Sequence, residues 1–129
     1  MRGMVQAMTK KILIADDEPD MVRMLANRLR ANNYQVIAAL DGMQALAAAR
    51  RERPDLIILD VRMPAKDGYS VLQGLRASAQ TTLIPIIFLS ALPASQVREK
   101  ANELGAEGHF TKPFDSEEIV ARIRDMIGD

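Results

Sequence analysis

Leu56-Ile57-Ile58-Leu59-Asp60 is a run of four aliphatic residues closed by a carboxylate, and it decides how the rest of the chain is read. Four apolar residues in succession leave no polar face, so the strand they predict is covered on both sides, as strands of parallel α/β sheets are. The pattern recurs elsewhere. Ile12-Leu13-Ile14-Ala15 ends in Asp16-Asp17, Ile86-Ile87-Phe88-Leu89 ends in Ser90, and His109-Phe110-Thr111 precedes Lys112. In an open parallel sheet, ligands bind in the crevice outside the carboxyl ends of the strands. Three acids, a hydroxyl and an ammonium are thereby placed in one crevice.

Strand-like runs alternate with helix-like stretches five times, as βαβ units around a parallel sheet require. The strands are expected at roughly 11–16, 35–40, 55–60, 84–90 and 107–111. Val22, Leu25, Ala26 and Leu29 follow Pro19 at helical spacing, and proline suits a first helical turn. Asp41 is placed to cap a second helix ending before Pro54, and Gly105 to end a fourth that carries Val97, Ala101 and Leu104 on one side. Asp115-Ser116-Glu117-Glu118 resembles a capping box, opening a last helix that buries Ile119, Ile123 and Ile127. Asp67-Gly68 reads as a plain turn, and Arg50, Arg51 and Arg53 as a solvated helix end.

The 129 residues fit one domain with a real core and no staple. Without cysteine, disulfides and thiolate metal sites are excluded, and a reducing, cytoplasmic compartment is permitted. Seventeen basic residues balance seventeen acidic ones, so no long-range field attracts nucleic acid or anionic membrane. The longest apolar runs fall far short of the ~20 residues that span a bilayer. Residues 1–9 carry three methionines and no signal-peptide layout; they read as a leader, with Met8 an alternative start, before a domain over residues 10–129.

Carboxylates gathered within ~4 Å repel by about 4 kcal/mol per pair at the effective dielectric near a protein surface. A divalent, oxygen-loving cation resolves that repulsion, and magnesium takes one or two carboxylates with waters and phosphate oxygens. Lys112 adds a fixed positive charge. Such a cluster suits transfer of a phosphoryl group onto a carboxylate nucleophile.

Asp16-Asp17-Glu18, the segment from Asp60 through Pro64 to Gly68, Leu89-Ser90-Ala91, and Thr111-Lys112-Pro113-Phe114 resemble, in order and spacing, the receiver domain of two-component response regulators. The resemblance spans about residues 9–127. It implies a flavodoxin-like, doubly wound, five-stranded parallel sheet of order 2-1-3-4-5 with five helices. It further implies Asp60 as phosphoacceptor, with Asp17 and Asp16 holding magnesium, or alternatively manganese, directly and through water. The backbone carbonyl of Arg62 completes that implied metal site. By the same resemblance Ser90 bonds the phosphoryl group as the switch hydroxyl, Lys112 pairs with it, and the Lys112-Pro113 bond is cis. The resemblance also implies that Arg62 and Leu92, two residues beyond acceptor and hydroxyl, overhang the path of hydrolytic water. The chain departs from the family at His109, where an aromatic switch ring is usual; a half-exposed ring on an edge strand is the alternative reading there. Phe110 is expected to face the other side of the sheet.

The function implied is a phosphorylation-controlled switch that receives its phosphoryl group from a histidine kinase or phosphotransfer protein. Its target protein is expected at the face of helix 4, strand 5 and helix 5, in a stand-alone protein that promotes only its own phosphorylation and dephosphorylation. An aspartyl-phosphate phosphatase needs a second acid two residues beyond the nucleophile, where Asp60 has Arg62; Asp16 has Glu18 there but no hydroxyl motif follows. A nucleotide- or flavin-binding module lacks its phosphate loop. A receiver belonging to a longer regulator is the remaining alternative.

Overall fold

A computed structural model describes residues 9–128; the Met8 alternative start and most of the leader lie outside the described residues. Its elements alternate strictly. They are β1 (Lys11–Ala15), α1 (Pro19–Ala31), β2 (Gln35–Ala39), α2 (Gly42–Glu52), β3 (Leu56–Asp60), α3 (Gly68–Arg76), β4 (Ile86–Ser90), α4 (Ala94–Leu104), β5 (Gly108–Thr111) and α5 (Ser116–Ile127). All pairings are parallel, in the order β2-β1-β3-β4-β5, which is the flavodoxin-like arrangement with five helices among the described residues. That order sets β3 between β1 and β4, so Asp60 lies between the ends carrying Asp16 and Ser90.

Side-chain alternation along the strands builds two cores. Leu13, Ile57, Leu59, Ile86 and Phe88 pack under α2, α3 and α4. Ile12, Ile14, Leu56, Ile58, Ile87 and Leu89 pack under α1 and α5. Each layer is held chiefly by burial, which contributes roughly 25 cal/mol per Å² of apolar surface removed from water. In α1, Val22, Leu25, Ala26 and Leu29 are all buried, and Pro19 stands at the start. Val97 and Ala101 of α4 are buried, with Leu104 partly so; Val120 joins Ile119 and Ile123 in the core while Ile127 packs at its margin.

Caps close the helices where side chains can reach the free amides. Asp41 accepts from Gln44 N at 2.8 Å, Asp67 from Ser70 N at 2.8 Å and Asp115 from Glu117 N at 2.9 Å. Gly105 ends α4 at φ 79°, the left-handed region that glycine enters without penalty. Asp67-Gly68 is therefore more than a turn. Asp67 caps α3, and a Cβ at Gly68 would lie 2.3 Å from the Asp60 carbonyl oxygen, so only glycine lets this loop close against the end of β3.

Strand ends differ from the expected ones by a residue or two, for local reasons. Asp16 donates one more ladder bond to Ala39 O at 3.1 Å and then turns, its Oδ1 accepting from Glu18 N. Ahead of β4, Ile84 N bonds back to Thr81 O, and Pro85 has no amide to donate. Arg50, Arg51 and Arg53 are all exposed at the end of α2, as a solvated helix end should be. The Lys112-Pro113 bond is cis.

Candidate functional site

Asp16 and Asp17 follow β1, Asp60 and Ser90 are the last residues of β3 and β4, and Lys112 follows β5. Parallel strands of similar length bring these ends to one rim. The cleft there has a volume of about 420 Å³, and Asp17, Asp60, Arg62, Ser90, Leu92 and Lys112 are among its walls. One carboxylate oxygen from each of Asp16, Asp17 and Asp60 lies within 4.8 Å of the others. Asp16 and Asp60 are buried, whereas Asp17 is exposed.

Lys112 is the cation that answers this charge. Its Nζ stands 2.7 Å from Asp16 Oδ2, 2.7 Å from Glu18 Oε1 and 3.5 Å from Asp60 Oδ2. The last distance is an electrostatic contact more than a hydrogen bond. Burial alone would discharge the amine, but the contacts with Asp16 and Glu18, reinforced by the charges of Asp16 and Asp60, hold it above the usual lysine range. Its backbone is fixed as well, since Lys112 N donates to Ser90 O at 2.8 Å.

The acids respond to the same crowding. Burial, then the neighbouring Asp16 charge, pushes the Asp60 carboxyl up to about 6, with Lys112 offsetting part of the rise. Burial also raises Asp16, against the stabilising contact with Lys112. Although Lys112 is close, the alignment is poor, and Asp16 Oδ2 has no hydrogen-bond partner. A buried carboxylate oxygen in that condition, beside two more carboxylates, fits a divalent cation with hard oxygen ligands.

Ser90 is buried at the cleft, and its Oγ accepts from Leu92 N at 3.1 Å, tying the hydroxyl to the loop that leads into α4. Leu92 rests partly on the core beneath α2, α3 and α4. His109 is not in the cleft. It pairs in register with Phe88 and lines a separate groove beside α4, whereas Phe110 packs into the opposite layer. Sequence reasoning gave Glu18 no role in this site. Its position in the run Asp16-Asp17-Glu18 was a signal, but its partner is 94 residues away, and only the β1-β3-β4-β5 order joins them.

The sequence profile of the "Response regulator receiver domain" matches residues 12–124. The chain is 44% identical over 118 residues to a "Probable transcriptional regulator ycf27" of Porphyridium aerugineum, covering 92% of this chain and 48% of that protein. It is 42% identical over 120 residues to the alkaline phosphatase synthesis transcriptional regulatory protein PhoP of Bacillus subtilis, covering 93% and 49%. Among solved structures, the receiver domain of the sensor histidine kinase PA1611 from Pseudomonas aeruginosa, with magnesium coordinated in its active-site cleft, superposes with TM-score 0.85 at 33% identity, covering 94% of this chain and 99% of that one. This chain belongs to the response regulator receiver domain family, whose members are phosphorylation-controlled signalling modules. It spans about half the length of the two curated relatives.

Proposed function

We propose that Asp60 accepts a phosphoryl group from a phosphohistidine on a histidine kinase or phosphotransfer protein. An Asp60 carboxylate oxygen attacks phosphorus; a P–O bond forms, the P–N bond breaks, and the departing imidazole nitrogen keeps the electron pair and is protonated. The observation that carries this reading is the placement of one buried carboxylate, ionised above about pH 6, against both the Asp16-Asp17 pair and Lys112. Asp16, Asp17 and Asp60, with the Arg62 carbonyl, would hold magnesium, or manganese in its place. That ion supplies charge neutralisation for the phosphoryl oxygens. Lys112 pairs with the transferred group, and Ser90 bonds it in exchange for Leu92 N.

The redirected Ser90 hydroxyl draws on the β4–α4 loop, and the altered face of α4, β5 and α5 engages a target protein. Charge-assisted hydrogen bonds contribute about 1.5–3 kcal/mol each. Two of them approach the ~5.5 kcal/mol that inverts a 1:99 equilibrium. The domain works in the cytoplasm and acts on no substrate besides its own phosphoryl group, because no acid stands two residues beyond Asp60 to serve a leaving group. The chain acts as a stand-alone switch or as the receiver portion of a longer regulator; the half-length coverage of its relatives supports the second form. Incubation with acetyl phosphate and magnesium, read by intact mass, tests the reading. Wild type should gain one phosphoryl group and Asp60→Asn none; undiminished labelling of the variant refutes Asp60 as acceptor.

A further inference from the structure

Glu18 is the N-cap residue of α1, yet its side chain makes no capping hydrogen bond. The residues that cap well are Ser, Thr, Asp and Asn, whose short side chains reach the free amides of the first turn. Glu18 is otherwise held firmly: its N donates to Asp16 Oδ1 at 3.0 Å, and its carbonyl accepts from Val22 N at 3.0 Å. The carboxylate instead turns away from the helix and accepts from Lys112 Nζ at 2.7 Å, a partner 94 residues distant. A local rule broken in favour of a remote contact is the pattern expected at a functional position.

Lys112 is shared unequally as a result. Its Nζ lies 2.7 Å from both Asp16 Oδ2 and Glu18 Oε1 but 3.5 Å from Asp60 Oδ2. Asp16 and Asp60 are buried, whereas the Glu18 side chain is 60% exposed. A buried carboxylate that loses its cation stays desolvated, while an exposed one is rehydrated, so Glu18 is the partner given up most easily. There is also room for it to leave. Glu18 walls the cleft on one side and, on the other, a depression of about 500 Å³ beside Met21, Met24, Pro113 and Phe114.

We propose that Glu18 is a positioning residue: it holds the Lys112 ammonium short of Asp60 in the unphosphorylated protein and releases it to the phosphoryl group once Asp60 is modified. The proposal rests on the reading that Asp60 is the phosphoacceptor. A phosphoryl group carries about two negative charges, so it outcompetes a single exposed carboxylate for the ammonium. Lys112 N stays bonded to Ser90 O, and the side chain needs only to shift from Glu18 toward Asp60. Because the Glu18 contact is given up before Lys112 pairs with phosphate, it lowers the affinity of the cleft for a phosphoryl group and slows transfer onto Asp60.

Two substitutions separate this latch from simple repulsion. Glu18→Gln removes the charge and keeps the shape. Glu18→Asp keeps the charge but is one methylene too short for the contact with Lys112, and its carboxylate suits the α1 amides instead. Both variants should be labelled faster by subsaturating acetyl phosphate in magnesium and should bind beryllofluoride about fivefold more tightly, the worth of one partly exposed ion pair. In EDTA, with ¹⁵N-labelled lysine, the Lys112 Nζ signal should shift in both as the ammonium moves toward Asp60. A purely structural role would change the urea midpoint and leave beryllofluoride affinity where it was. Faster labelling in Glu18→Gln alone would make Glu18 a repelling charge at the cleft mouth and overturn the latch, as would unchanged or slower labelling in both variants. Absent labelling of wild type refutes the phosphoacceptor reading instead, and an Nζ signal unmoved in EDTA refutes the resting contact by itself.

Discussion

Asp60→Asn should make the metal-free protein more stable, and by an amount that depends on pH. The folded protein raises this carboxyl from 3.8 to about 6 through burial and then the charge of Asp16, a value that already includes the attraction of Lys112. Below pH 3.8 the group is protonated in both the folded and the unfolded chain and contributes nothing. Between 3.8 and about 6 the unfolded chain has released its proton while the folded one retains it, so stability falls as pH rises. Above about 6 the penalty is complete, at about 3 kcal/mol. At about pH 4 the same expression leaves about 0.5 kcal/mol. Asparagine keeps the shape and removes the ionisation, so its advantage should grow from near zero at about pH 4 to about 2–3 kcal/mol at about pH 8. For a domain of this size that amounts to a rise in Tm of roughly 6–12 °C at the higher pH. The assay is thermal and urea denaturation of both proteins in EDTA at unit steps from about pH 4 to 8, where the other carboxylates largely cancel in the difference. Adding magnesium should narrow the gap, because the ion binds the folded wild type more tightly than the variant. A difference that does not change with pH, or a variant less stable than wild type at the alkaline end in EDTA, would refute the reasoning.

Arg76→Met should destabilise the domain by about 3 kcal/mol, since this largely buried guanidinium donates to Thr82 O, Ile84 O and Gly105 O and pairs with Glu107; urea unfolding measures it, and a loss under about 1 kcal/mol would show the network to be replaceable. Ser90→Ala should still be labelled by acetyl phosphate but should lose most of the amide shifts that beryllofluoride produces in α4, because the hydroxyl tied to Leu92 N is gone. Arg62→Asn with Leu92→Glu should speed loss of the aspartyl phosphate severalfold, since both side chains wall the cleft and the replacements offer space and a group that orients water; phosphate release after donor removal reads it, and slower decay would refute the shielding role.

The sheet was legible because β1, β3 and β4 are buried on both faces, and a continuous aliphatic run of strand length suits few environments besides a parallel strand covered by helices. The helix periodicity of α1 and the caps Asp41 and Asp115 were legible because they are short-range signals. What escaped depends on distance along the chain. Glu18 meets Lys112 across 94 residues, and Arg76 reaches Glu107 across 31. Neither pairing leaves a mark on local pattern. Asp67-Gly68 escaped differently: a capping pair and a turn look alike in sequence, and only the contact of Gly68 with the Asp60 carbonyl separates them. His109 lies two residues, about 7 Å, back along β5 from Thr111, and that register places it in the outer groove instead of the cleft.

The arrangement also explains why α4 is the element that should answer the cleft. The helix buries only Val97 and Ala101, and Pro93 at its N-terminus provides no side-chain cap. By contrast α2, α3 and α5 are each capped by an aspartate, and α1 buries four residues. Low local burial and an uncapped end mark the segment of least local stability. Ser90 touches that segment's approach through its Oγ, which accepts from Leu92 N, while its carbonyl accepts from Lys112 N and so holds the far side of the cleft. A pull of about 1.5–3 kcal/mol on the hydroxyl is small against the buried strand β4, yet comparable to what holds the first turn of α4. The displacement should therefore appear in α4, carrying Arg98 and Asn102 relative to Arg122, which sits on the better-anchored α5. A change in the one bond at the cleft should therefore be read in α4 before it is read in any other helix.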